Sequence, residues 1–355
     1  MTVVKKAWAF ALLAWASMCA DASFAAPVPL AVVGDSDSHA YHDRTQFTGE
    51  DGTRGGAFHD TTWQWTEWLH RLRGGEVDQG HWGRSGSRRI VAMVEEALGL
   101  PARTPEKEDF AYNFAVSGAV CNDLMNIQRQ VPHLVQQMDE APAAWRGGIV
   151  VVRIGVNSFG QREHLDRLAA SADDPAVAAE IDGCIDDVRA AVSYLHRHHP
   201  DTRVVLVGIF DNANIGENVR RWSSAREQAN ITRALDRYDA ALKAMAVRDP
   251  RIAFFDDRAW FAALWGGRDA TARPAYKAVR IGEDLVVTNT QGDAPCHAIL
   301  SDGHAGTVWN ALWAKALVHV VNRRFGAGIT PITSQELASR LGGDVLRGSE
   351  TCRAR

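Results

Sequence analysis

Five short apolar runs constrain the fold more than any other feature: Leu30–Val33, Phe110–Val116, Ile149–Ile154, Arg203–Phe210 and Arg251–Phe255. A strand wet on one face alternates apolar and polar residues. A run that is apolar throughout is buried on both faces, as in a parallel sheet covered by helices. Helical patterns lie between the runs. Thr61 and Gln64 read as a capping box, after which Trp65, Trp68, Leu69 and Leu72 share one face until Gly74-Gly75. Residues 178–199 read as a helix stopped by Pro200, and residues 223–247 as another stopped by Asp249-Pro250. After Gly306, Trp309, Leu312, Trp313, Ala316, Leu317 and Val320 line a last helical face. Strands that alternate with helices pair in parallel through crossovers. The expected fold is therefore a three-layer α/β/α sandwich around a mainly parallel sheet of about five strands. Residues 278–289, with turn residues Gly282-Glu283-Asp284, read as an inserted β-hairpin. One domain is expected over residues 26–330, with residues 331–355 a peripheral C-terminal tail.

Residues 1–25 read differently. Lys5 and Lys6 precede an uncharged apolar stretch from Ala7 to Ala20, and small residues then allow cleavage after Ala22 or Ala25. That order marks a signal peptide, and the stretch is shorter than the roughly 20 residues of a membrane span. The expected location is periplasmic or secreted, with no stable membrane span after cleavage. Beyond residue 25, Cys121, Cys184, Cys296 and Cys352 allow three disulfide connectivities in an oxidising compartment. The absence of a Cys-x-x-Cys pair argues against a structural zinc site. The 39 basic and 43 acidic residues give a net charge of −4, which argues against a nucleic-acid partner.

Open parallel sheets bind ligands beyond the carboxyl ends of their strands. Gly34-Asp35-Ser36-Asp37-Ser38 follows the first run, Ser117-Gly118-Ala119 the second, and Gly155-Val156-Asn157-Ser158 the third. Ser301-Asp302-Gly303-His304 precedes the last helix. A serine hydroxyl is a weak nucleophile until a base takes its proton, and histidine titrates near neutrality. An oxyanion then needs preplaced donors, which the N–H groups of Ser36 and Gly118 and the Asn157 amide would supply.

This set resembles the SGNH hydrolases, also called GDSL esterases and lipases. Gly34-Asp-Ser-Asp-Ser38 matches the first block, Gly118 the second, Gly155 and Asn157 the third, and His304 the last. The resemblance spans residues 30–320. It implies a flavodoxin-like SGNH hydrolase fold, Ser36 as nucleophile, His304 as base, and an oxyanion hole of Ser36, Gly118 and Asn157. It implies no cofactor and no metal. Two positions depart from the pattern. Ser158 stands where the third block usually has Asp, and Ser301 stands where an Asp usually precedes the histidine by three residues. Asp302 is the expected orienting carboxylate, a backbone carbonyl the alternative.

The implied activity is hydrolysis of a carboxylic ester through an acyl-enzyme. The polar, Gly-rich loops 38–60 and 267–301 lean toward short acyl groups on a polar or glycan alcohol. Two other readings compete. Asp35 and Asp37 after an apolar strand resemble the haloacid dehalogenase phosphatases, which use Mg²⁺, and Asp256-Asp257 would complete that set. A non-catalytic module would use the cleft only to bind a glycan or lipid. His297 is the second candidate for the base. His39, His42 and His59 read as cleft-lining or solvated residues rather than metal ligands, and Trp63, Trp65 and Trp68 as core and cleft wall.

Overall fold

A computed structural model describes residues 26–47, 53–100, 102–283 and 285–342. The expected signal peptide, the turn residue Asp284 and Cys352 lie outside the described residues. The central sheet has five parallel strands: β1 (Val28–Gly34), β2 (Val77–Asp78), β3 (Ile149–Arg153), β4 (Arg203–Val207) and β5 (Ile252–Phe255), in the order β2-β1-β3-β4-β5. The register aligns Leu30 with Ile149, Val150 with Val204, and Val204 with Ile252. The expected α/β sandwich is what forms.

Alternate residues of one strand feed opposite cores, because successive side chains point to opposite faces. Leu30 and Val32 join one cluster with Trp65, Trp68, Trp309 and Trp313. Ala31 and Val33 join the other with Leu134, Val188 and Leu235. The first cluster is covered by α1 (Trp65–Arg73), α7 (Asp257–Trp265) and α8 (Thr307–Phe325). The second is covered by α3 (Gln130–Asp139), α5 (Pro175–His198) and α6 (Ala225–Arg248). Two further helices, α2 (Arg89–Ala97) and α4 (Arg162–Ala170), lie on connections, and α4 adds Leu165 and Leu168 to the second cluster. The segment beyond 330 forms α9 (Ser334–Arg340). Among residues 331–342, Ile332, Leu337 and Leu341 are buried in the first cluster, and Arg73 holds Glu336 at 2.7 Å.

Two sequence expectations are corrected. Residues 110–116 do not form a strand of the central sheet. Lys107–Phe110 pairs antiparallel with Trp82–Ser85 instead, and only Asn113 bridges to β1, at Val32. The cause is Asn113, whose buried side chain accepts from the Ala115 N–H and donates to the Ser38 carbonyl and to Asp109. Those bonds bend the chain out of a ladder. The two-residue β2, which carries no apolar run, fills the edge instead. The capping box of α1 is also shifted by three residues: Gln64 is the cap and Glu67 its partner, whereas Thr61 lies in a preceding 3₁₀ turn. The hairpin forms as expected, Val279–Ile281 against Leu285–Gln291.

Cys121 is disulfide-bonded to Cys184 of α5, and Cys296 is disulfide-bonded as well. The Cys121–Cys184 link spans 63 residues, and a loop of that size removes enough unfolded-state entropy to contribute about 2–4 kcal/mol. The double variant Cys121→Ala/Cys184→Ala is expected to unfold at lower urea concentration by that margin. Equal midpoints for the two oxidised proteins would refute the contribution.

Candidate active site

The chain reaches β2 on one side of β1 and then crosses to β3 on the other, so the sheet's switch point lies between β1 and β3. Gly34 ends β1 there. A Cβ on it would stand 2.0 Å from the Arg153 carbonyl oxygen, so only glycine lets the two strand ends meet this closely. Its N–H donates to Gln130 Oε1 at 2.7 Å, and its carbonyl accepts from Gln130 Nε2 at 2.9 Å and from the Val116 N–H at 3.1 Å, which satisfies the strand end.

Beyond Gly34 the chain turns tightly, with the Ser38 and His39 N–H groups donating to the Asp35 carbonyl. Three groups fix this turn from outside. Trp65 Nε1 donates to the Asp37 carbonyl at 3.1 Å, Asn113 Nδ2 to the Ser38 carbonyl at 2.8 Å, and Arg153 Nη1 to the Asp37 carbonyl at 2.9 Å. Arg153 is buried, and its Nη2 lies 3.0 Å from Asp257 Oδ2, while Trp313 Nε1 donates to Asp257 Oδ1. Ser36 is thus left half-buried at the tip, and its Oγ has no hydrogen-bond partner among the described residues.

Ser36, Gly118, Asn157, Asp302 and His304 come together on one cleft of about 690 Å³. Gly118 has φ 81°, a left-handed backbone that favours glycine although its Cβ position is open. Among the described residues neither the Ser36 nor the Gly118 N–H has a protein acceptor, so both are available to an oxyanion. Asn157 donates one amide proton to the Ala119 carbonyl at 3.0 Å and accepts from Gln161 through Oδ1. That fixes its amide and leaves the second proton. Ser158 Oγ accepts the Cys121 N–H at 3.0 Å, which ties this loop to the segment after Gly118.

His304 lies in a loop closed by its own backbone: the Leu300 N–H donates to the His304 carbonyl at 2.7 Å and the Gly303 N–H to the Leu300 carbonyl at 3.0 Å. Within it Asp302 folds back, accepting the His304 N–H through Oδ1 at 3.1 Å and setting Oδ2 3.0 Å from Nδ1. That short separation lacks the alignment of a formed hydrogen bond. The tight turn is how a carboxylate only two residues away reaches the ring. Ser301 instead turns outward to Asp293, and His297 bonds Thr290 and does not line the cleft.

Arg54 is the cleft residue that sequence reading missed. It is only 6% exposed. Its guanidinium lies over the Tyr41 and Phe47 rings, and Nη2 donates to Ser117 Oγ and His304 Nε2, both at 3.1 Å. A guanidinium has no acceptor, so Nε2 accepts and the imidazole proton is on Nδ1, toward Asp302. Burial opposes ionisation of Asp302, but His304 and Arg54 outweigh it and hold the carboxyl down at about 2. A lone arginine in a polar loop carries no spacing signal, so nothing in the sequence pointed to it. The loops expected to line the cleft contribute Arg54, Gln291, Ile299 and Ser301, but Gln161 to Glu163 and Phe210, Asn212 and Ile215 line it too.

The other histidines serve the scaffold. The His39 ring accepts the Ser117 N–H at Nδ1, 3.0 Å away, and pairs through Nε2 with Asp43 at 2.8 Å, tying the Ser36 turn to the Gly118 loop. His42 bonds Glu67, and His59 bonds the Arg54 carbonyl. Among the described residues no His, Cys, Asp and Glu side chains gather as a metal-binding group. Asp35 is buried with one oxygen unpartnered. Burial, and then the neighbouring Asp37 charge, push its carboxyl up to about 8.

No family model matches the chain, and no curated protein matches it. Among solved structures it is similar to a Streptococcus pneumonia protein assigned as a platelet activating factor, with 13% identity over 84% of this chain and 86% of that one and a TM-score of 0.34. It is similar to an extracellular lipase from Streptomyces rimosus, with 14% identity over 66% and 82% of the two chains and a TM-score of 0.30. A phospholipase A1 from Streptomyces albidoflavus gives 12% identity over 84% and 100%, with a TM-score of 0.33. What the cleft can do follows from its own residues.

The His39 contact gives a pH dependence. Burial, then the Lys107 charge, lower its folded pKa from 6.5 to about 4. Between those values the unfolded chain binds the extra proton and the folded chain does not, so stability falls as pH falls through the window. Urea midpoints measured from neutral pH to about 4 are expected to drop more steeply for the native chain than for His39→Gln. Parallel curves would exclude His39 as the source.

Proposed function

We propose that the protein is an exported serine esterase that hydrolyses carboxylic esters through an acyl-enzyme. The observation that carries this reading is the convergence of Ser36, Gly118, Asn157, Asp302 and His304, from four separate segments, on one cleft at the strand ends. Ser36 Oγ attacks the ester carbonyl as His304 Nε2 takes its proton, so Nε2 exchanges its contact with Arg54 for the serine hydroxyl. The N–H groups of Ser36 and Gly118 and the free Asn157 amide proton receive the oxyanion. Collapse of the tetrahedral intermediate expels the alcohol, which takes the proton back from His304, and water then repeats the sequence on the acyl-serine. Asp302 holds the Nδ1–H tautomer and stabilises the imidazolium.

The cleft walls suit a short acyl group on a polar alcohol. Val156, Phe210 and Ile215 supply a small apolar surface, whereas Gln161, Asn212 and Asn218 supply amides that match hydroxyl groups such as those of a glycan. The disulfides support export, since such bonds persist in oxidising compartments. Among the described residues no helix is long and apolar enough to cross a membrane.

The phosphatase reading fits less well. An Asp nucleophile must be ionised, and burial, then the Asp37 charge, push the Asp35 carboxyl up and disfavour its ionised form. Its second partner Asp257 is committed to Arg153 and Trp313.

Hydrolysis of p-nitrophenyl acetate by the chain from Ala26, which keeps every described element, tests the proposal. Ser36→Ala is expected to lose at least about 10³-fold in kcat, and Asn157→Ala about 10²–10³-fold. Undiminished turnover by Ser36→Ala would sink the proposal. Activity against esters from acetyl to palmitoyl is expected to fall with chain length, and acetate release from an acetylated polysaccharide is the matching assay for the alcohol.

A further inference from the structure

Most of the large apolar side chains exposed among the described residues belong to one helix and its flanks, Ile127 and Val247 being the exceptions. Of the large hydrophobic residues exposed among the described residues, Ile90, Val91, Met93 and Val94 belong to α2, Leu98 and Leu100 follow it, and Trp82 precedes it. Ile90 is 78% exposed, Met93 62% and Leu98 70%. A monomeric surface scatters such residues singly, so a contiguous patch marks a contact.

The helix is mounted the wrong way round for a helix on a water-soluble protein. At about 100° per residue, Ile90, Val91, Met93 and Val94 cover an arc of roughly 160°, with Ala92 opposite. Ala92 is the buried residue of α2. The acidic residues beside it are turned to the protein: Glu95 accepts from Ser87 Oγ at 2.9 Å, and Glu96 pairs with Arg129 at 2.8 Å. The polar face is thus spent on the protein and the apolar face is presented outward. Before it in the chain stand Arg84, Arg88 and Arg89, all exposed; none makes a close ion pair among the described residues, although Arg84 lies across from Glu108 and the Arg89 charge reaches Asp123.

We infer that α2, with Trp82 and the Arg84, Arg88 and Arg89 cations, is a docking surface for a lipid bilayer bearing anionic head groups. The charge pattern selects this occupant. A second copy of the chain would bring unpaired arginines toward one another, and the nearby acids that might receive them are already bonded. An anionic bilayer supplies the missing charge. The shape agrees: a short convex helix apolar over nearly half its circumference is not enclosed by a rigid surface, whereas fluid acyl chains close around it. Tryptophan beside apolar and basic residues is the composition of an interfacial anchor. Through Arg129 the helix is tethered to the segment leading away from Gly118. The inference does not depend on the esterase reading.

Flotation of the chain from Ala26 with phosphatidylglycerol–phosphatidylcholine vesicles tests it. The wild-type chain is expected to float with these vesicles, and less so at high salt. The variant Ile90→Gln/Met93→Gln/Leu98→Gln is expected to bind about tenfold or more weakly. Those positions are exposed, so its melting temperature should match the wild type. Arg88→Gln/Arg89→Gln is expected to lose the preference for anionic over pure phosphatidylcholine vesicles, and Ser36→Ala to bind as the wild type does. The inference is overturned if the wild type does not float, or if the folded Gln variant floats equally well. It is also overturned if the patch instead holds a dimer, seen by light scattering, that the Gln substitutions dissociate while vesicles are ignored.

Discussion

The buried Arg153 guanidinium is the interaction on which the rest of this structure depends. It leaves the end of β3, donates to the Asp37 carbonyl of the turn that carries Ser36, and pairs with Asp257 at the start of α7. Asp257 in turn receives Trp313 from α8, the helix that follows His304. Desolvating such a pair is costly, and burial does push the Asp257 carboxyl up to about 6. Its return is geometric. An unpaired charge at this depth costs several kcal/mol, so the pair favours the arrangement of β1, β3, α7 and α8 that keeps both partners in place, and that arrangement sets the Ser36 turn and the helix after His304 relative to each other.

Around that frame the loops of the cleft are held by side-chain bonds from distant segments. Trp65, Asn113, His39 and Gln130 hold the backbone of the Ser36 and Gly118 loops, leaving the two N–H groups that face the cleft free. Arg54 is the unexpected member. By donating to His304 Nε2 it fixes the tautomer that Asp302 also favours, and it occupies the ring nitrogen that the proposed mechanism assigns to Ser36. The outward apolar face of α2 follows the opposite logic, since its acids are satisfied by the protein and its hydrophobes are not.

Much of the fold was legible because burial on both faces leaves a direct trace: the runs at Leu30, Ile149, Arg203 and Arg251 each became a strand of the sheet. The run at Phe110 misled because apolar content reports burial and not pairing. Asn113 diverted that backbone with its own side chain, and β2 took the edge with too few residues to leave a pattern. The α1 cap was misplaced for a related reason, as Thr61-x-x-Gln64 and Gln64-x-x-Glu67 overlap and only the geometry chooses. That Ser36, Gly118, Asn157 and His304 meet on one cleft was legible from their order and strand-end positions, whereas the place of Arg54 was not, because it arises from a loop folding over two aromatic rings.

By itself the sequence determined the parallel sheet, the crossover helices and the residue types at the strand ends, since hydrophobic periodicity and short-range motifs are local properties of the chain. Tertiary structure alone decided which cysteines pair, whether Asp302 reaches His304 across a two-residue gap, what faces Nε2, and which way α2 presents its apolar face. Each of those depends on contacts between segments distant in the chain. No local pattern encodes the position of a partner that packing has yet to bring near.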